Sequence, residues 1–131
     1  MGMIKAYNCN LSGPPVDLGE VDKAGALALI GERWPFADVV FEDAEEAVAR
    51  TMFGFSRSDQ DFIEINLASV NLVTVRHEMR SAGVLSWLFG PRPYLVELNG
   101  RLALEALVTA YATSTEQCME IMRSYPNKAT R

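Results

Sequence analysis

The sequence predicts an α+β domain: an antiparallel sheet of about four to five strands with helices packed on one face. Three observations carry this. Between Thr51 and Met79 apolar residues recur at every second position, the period of a strand with one buried face. On both sides of that stretch they recur every three or four residues, the period of an amphipathic helix. The connections inside the alternating stretch are too short for parallel crossovers, so its strands form a meander. At 131 residues, 49% hydrophobic and 22% charged, the chain has material for one core and too much apolar surface to stay disordered. Residues 1–131 therefore read as a single domain, with a flexible tail over 127–131.

Taken in order, Met3 to Cys9 reads as a short strand, and Gly13-Pro14-Pro15 ends it because proline offers no ladder donor. A loop follows. Asp17 with Glu20 three positions on has capping-box spacing, and Val21, Ala24, Leu27, Ile30 and Trp34 follow at helical intervals, so the first helix runs from there to Trp34, before Pro35. A shorter helix starts at Asp43, with Ala44, Ala47 and Val48 as its buried side. The meander then places Phe53, Phe55, Ile63, Ile65, Leu67, Val73 and Val75 inward, and Ser56, Glu64, Asn66, Thr74, Arg76 and Glu78 outward. Arg57 to Gln60 makes the first turn, and a break near Ser69 to Asn71 makes the second. Tyr94 to Leu98 is a further strand, with Tyr94, Val96 and Leu98 inward and Glu97 outward. Asn99-Gly100 is a hairpin signal, but Leu104, Leu107, Val108 and Tyr111 fall at i, i+3, i+4 and i+7, which favours a helix over Leu102 to Tyr111. A last helix opens at Thr113 or Ser114 and buries Cys118, Ile121, Met122 and Tyr125 before Pro126.

Charge is unevenly divided. Residues 1–66 carry 5 basic and 12 acidic side chains, net −7, and residues 67–131 carry 7 basic and 5 acidic, net +2, which together make the formal −5. An acidic chain with an isoelectric point near 4.8 lacks the basic face that nucleic-acid binding requires. A cationic partner fits better. The densest acidic stretch is Asp38, Glu42, Asp43, Glu45 and Glu46, with no Lys or Arg before Arg50. It reads either as a solvated helix start, where carboxylates suit the unpaired amides, or as a partner-binding surface. No apolar run approaches the roughly 20 residues needed to cross a bilayer, and no secretory leader is evident, so a soluble cytoplasmic protein without membrane contact is expected.

Catalytic constellations are sparse. His77 is the one histidine, and alternation puts it on the same side as Val73 and Val75, facing the core as a hydrogen-bonded structural residue and not as the base of a triad. Cys9 and Cys118 are far apart and form neither a disulfide framework nor a zinc motif. Asp59 and Asp61 flank a turn, where aspartates bond their own backbone. No phosphate loop is present, and no cofactor is implied. Glu64, Arg76, Glu78 and Glu97 share the polar sheet face, and read either as a ligand face or as a solvated cross-strand ion-pair surface. The connection Gly83 to Pro93 packs Val84, Leu85, Trp87, Leu88 and Phe89 between Arg80 and Arg92. Aromatics beside arginines recur at interfaces, so Trp87, Phe89 and Arg92 are either partner-binding residues or a plug at the end of the sheet.

In outline, Phe53-Gly54-Phe55, Asp61 to Ile65, Val75-Arg76-His77-Glu78, Leu88-Phe89-Gly90 and Tyr94 to Leu98, followed by Gly100-Arg101 and a helix ending in Ala110-Tyr111, resemble the small acidic immunity proteins of bacterial toxin systems. The likeness covers roughly residues 50–112 and lies in element order and acidic character. It implies a non-enzymatic protein that blocks a cognate, basic toxin through an acidic surface, with charge speeding the encounter. No functional residue carries over, because the binding surfaces of such families differ from member to member. Two other readings stand beside it: an acidic secretion chaperone, a homodimer with exposed apolar grooves, and a small enzyme or ligand-binding domain on the polar sheet face.

Overall fold

The structure is a computed structural model and describes residues 2–79 and 93–129. Its strands are β1 (Ile4–Asn8), β2 (Val16–Val21), β3 (Met52–Ser58), β4 (Asp61–Ser69), β5 (Leu72–Met79) and β6 (Tyr94–Leu98). Its helices are α1 (Lys23–Arg33), α2 (Ala44–Thr51), α3 (Arg101–Thr113) and α4 (Thr115–Met122), with a 3-10 turn at Trp34–Asp38 directly after α1. The strands form one open sheet in the order β2-β1-β3-β4-β5-β6, and every neighbouring pair is antiparallel. The α+β class and the antiparallel sheet agree with the sequence, and the strand count among the described residues is six instead of four to five.

The additional strand is β2, where the sequence predicts a loop and a helix start. Asp17 does not cap a helix: its carboxylate accepts the amide of Gly19 at 2.7 Å and pairs with Lys5 at 3.7 Å. Ala6 faces Gly19 and Tyr7 faces Asp17, so Leu18 is left without a partner in a bulge, and Gly19 takes the φ of +95° that this kink demands. The true cap of α1 is Asp22, whose Oδ1 accepts the amide of Gly25 at 2.8 Å. Asp22→Ala is expected to cost about 1 kcal/mol and Asp17→Ala no more than a few tenths, as read from urea denaturation midpoints. Equal costs would deny Asp22 the capping role.

Strand pairing confirms the inward set. Phe53, Phe55, Ile63, Ile65, Leu67, Val73, Val75, Val96 and Leu98 are all buried, and they pack with Ala26 and Ile30 of α1, Leu104, Leu107, Val108 and Tyr111 of α3, and Cys118 and Met122 of α4. Two predicted helix faces shift. In α1 Ala26 is buried and Ala24 exposed, and in α2 Ala44 is exposed while Ala47 and Val48 are half-buried. The chain enters α3 through Gly100, at φ +103°, so Asn99-Gly100 serves as a helix entry and not as a hairpin.

The tail predicted as flexible from residue 127 is held at its beginning. The outer margin of β6 presents the amide and carbonyl of Leu95, and these bond the Asn127 Oδ1 at 3.0 Å and the Lys128 amide at 2.7 Å. Asn127 also donates to the carbonyl of Pro93, and the Tyr94 hydroxyl donates to the carbonyl of Tyr125 at 2.9 Å. An edge strand otherwise leaves such groups unpaired, which is the physical reason for this docking.

Candidate functional site

The acidic segment is built from a turn and a helix start. Phe36 and Phe41 stack at 6.3 Å between ring centroids and hold the 3-10 turn close to the entry of α2. Asp43 caps α2, its Oδ1 accepting the amide of Glu45 at 3.1 Å, and Glu45 and Glu46 occupy the first turn, where the helix dipole favours carboxylates. Asp38, Glu42, Asp43, Glu45 and Glu46 are all exposed, and none forms an ion pair among the described residues. Between them Val40 is 93% exposed and Val39 47%. The structure thus brings all five predicted carboxylates into one segment and adds an apolar tip that the charge count did not single out. Trp87, Phe89 and Arg92 lie outside the described residues.

The outward sheet face holds the second predicted group. Arg76 and Glu78 form an ion pair at 3.0 Å, Glu64 stands opposite Arg76 in register, and Thr74 stands opposite the exposed Glu97. This is a partly paired surface across three strands. Glu64 separates from the other three in one respect: it also lines a hollow of about 500 Å³ together with Lys5, Tyr7, Pro15, Asp17, Ser56, Ser58, Asp59 and Phe62.

That hollow follows from the register of three strands. Lys5, Ser56 and Phe62 form one row across β1, β3 and β4, and Tyr7, Gly54 and Glu64 form the next. The middle strand supplies the small member of each row, and the larger neighbours line the hollow on both sides of Ser56. The phenol end of Tyr7 lies over Gly54, and its hydroxyl donates to the carbonyl of Ile63 at 2.9 Å. Burial, together with the nearby Glu64, raises the pKa of that hydroxyl, so it stays a donor. The Cys9 thiol lies 3.5 Å from Glu64 Oε1, and burial first, then this carboxylate, push it up to about 12.

A third cluster sits on the inward face. His77 is 5% exposed, and its Nε2 lies 3.0 Å from Asp61 Oδ1. The Tyr111 hydroxyl donates to the same oxygen at 3.0 Å and to the Asp61 carbonyl at 2.9 Å, and the Thr115 hydroxyl donates to Oδ2. Burial alone would raise the Asp61 pKa, but the hydrogen bonds from His77, Thr115 and Tyr111 outweigh it and hold the carboxyl below its ordinary value. An ionised carboxylate only accepts, so the His77 tautomer carries its proton on Nε2. Arg57 lies 5.1 Å over the Tyr111 ring and donates to the Tyr111 carbonyl, an otherwise orphaned acceptor in the last turn of α3. Asp61 therefore does not bond its own backbone, as the turn reading expects. It joins three elements, and His77 is the hydrogen-bonded core histidine that alternation predicts.

Cys118 is buried next to this cluster, and burial first, then Asp61, push its thiol up to about 12. With both thiols so far above the ordinary range, the native protein should react with Ellman's reagent at pH 8 far more slowly than a free thiol. Cys118 should react only on unfolding, and rapid stoichiometric release from the native state would contradict this placement.

Among the described residues, no group of three or more His, Cys, Asp and Glu side chains is placed to hold a metal ion. No helix there is long and apolar enough to cross a membrane. Comparison with protein-family models, with curated proteins and with solved structures found no match for this chain.

Proposed function

We propose that the chain is a non-enzymatic binding protein that docks a basic protein partner through residues 38–46, and that it acts as an immunity protein neutralising a cognate bacterial toxin. The observation that carries this reading is the acidic segment itself, five exposed carboxylates that form no ion pair among the described residues, around the protruding Val40. Such a surface draws in a cationic cleft over long range, and the apolar tip gives the complex a contact to bury. The chaperone reading is supported less well. Among the described residues, Leu102 is the one large exposed apolar side chain in a helix, and an unfolded client would need a contiguous apolar groove.

The test is kinetic. The chain is co-expressed with the product of an adjacent toxin-like reading frame, and association is measured with Asp38→Asn, Glu42→Gln, Glu45→Gln and Glu46→Gln combined. Asp43 is kept because it caps α2. Association should slow about tenfold or more at low ionic strength, the difference should shrink as salt rises, and the variant should protect cells less well. Val40→Asp should mainly speed dissociation. An unchanged association rate at low salt, or full binding by both variants, would overturn the assignment.

A further inference from the structure

The hollow on the outward sheet face is distinct from the acidic segment, and its lining has a chemistry of its own. Two aromatic side chains line it, Tyr7 with its phenol laid over Gly54 as far as the Ile63 carbonyl, and Phe62 beside Ser56. Three carboxylates, Asp17, Asp59 and Glu64, share it with one ammonium, Lys5, which already lies 3.7 Å from Asp17. Glu64 is half-buried, and it has no cationic partner within ion-pair distance among the described residues; Arg76, opposite it in register, is bonded to Glu78. An anion would meet a net negative wall. A bare metal ion would want a cage of oxygen ligands, and no such cluster is present among the described residues. An organic cation satisfies both parts of the lining, because its charge pairs with a carboxylate while its carbon body lies against the rings, whose faces attract positive charge.

We infer that this hollow is a binding site for a small organic cation carrying a guanidinium or primary ammonium group, with Glu64 as its counter-charge and Tyr7 and Phe62 as its aromatic lining. A volume of about 500 Å³ falls within the range of small-molecule sites. Ser56 and Ser58 add hydroxyls to the lining, suited to orient an N–H donor. Gly54 gives Tyr7 its place in this lining, since any side chain there would meet the Tyr7 phenol.

Agmatine, which carries both groups, is the probe, followed by amide chemical shifts of the full chain. Saturable shifts are expected at Gly54, Ser56 and Phe62, with an uncharged analogue giving none. Glu64→Gln should weaken binding about tenfold or more, and Phe62→Leu should weaken it several-fold, with the thermal midpoint of each variant checked against the parent. Lys5→Met, which removes the competing ammonium, should tighten binding. The absence of saturable shifts at millimolar agmatine, tighter binding of an anionic probe such as citrate, or unchanged affinity in a folded Glu64→Gln would overturn the site. Neutralising residues 38–46 should leave agmatine affinity unaltered, so the outcome here and the outcome for the toxin partner are separately readable.

Discussion

Gly54→Ala is expected to destabilise the protein by about 3 kcal/mol, a substantial share of the roughly 5–15 kcal/mol that holds a domain of this size. The cause is space, since Gly54 is not among the glycines with positive φ. A Cβ at this position would overlap the carbonyl oxygen of Ile63 and the phenol end of Tyr7. Tyr7 could swing away, at the cost of its bond to Ile63. The Ile63 carbonyl belongs to β4, opposite Phe55 in the ladder, and moves only if that pairing is disturbed. Tyr7→Ala should therefore relieve part of the alanine's cost and not all of it. A double-mutant cycle by urea denaturation should give a coupling of about 1 kcal/mol between the two positions. A Gly54→Ala protein as stable as the parent would show that Tyr7 and β3 do not approach so closely.

The second large effect is expected at Asp61. Asp61→Ala removes the acceptor of three side chains and should cost about 3–5 kcal/mol, because His77, Tyr111 and Thr115 would be left with buried donors facing no oxygen. Asp61→Asn keeps one oxygen for His77 and Tyr111, while the Thr115 hydroxyl can turn to accept from the amide, so about 1–2 kcal/mol is expected. Acid separates the two variants further. The folded pKa of Asp61 lies below its unfolded value, so its contribution is fully present above the ordinary carboxylate range, about pH 4, and is lost as pH falls through the folded value. The parent should therefore lose stability over that acid range more steeply than Asp61→Asn. Parallel pH profiles for the two proteins would deny Asp61 this role.

Much of the sheet was legible because a two-residue period admits one sensible facing. Ile63, Ile65 and Leu67, then Val73, Val75 and His77, pointed inward as their parity demanded. The same parity, carried two residues further back, would have turned Asp61 toward the core. It was hidden because the sequence around it, Ser58-Asp59-Gln60, looks like a turn and the strand starts immediately after it. β2 was missed for a different reason. As an edge strand it buries little, its apolar residues Val16 and Leu18 stay exposed, and Asp17 and Glu20 imitate a helix cap. The acidic segment could be read residue by residue, since local charge needs no tertiary partner to be seen. The hollow could not. It depends on β1, some fifty residues distant, lying in register beside Gly54 and Ser56, and lateral register between remote strands leaves no mark on a linear pattern.

The two margins of the sheet are finished by different means: a kinked β2 at one side, and at the other a C-terminal segment laid over Leu95. Cutting the chain back to Tyr125 would strip only the second. The newly bare strand would then template its like in a second molecule, so shortened preparations should pair edge to edge into dimers as concentration rises, whereas foreign sequence appended after Arg131 leaves that clasp in place.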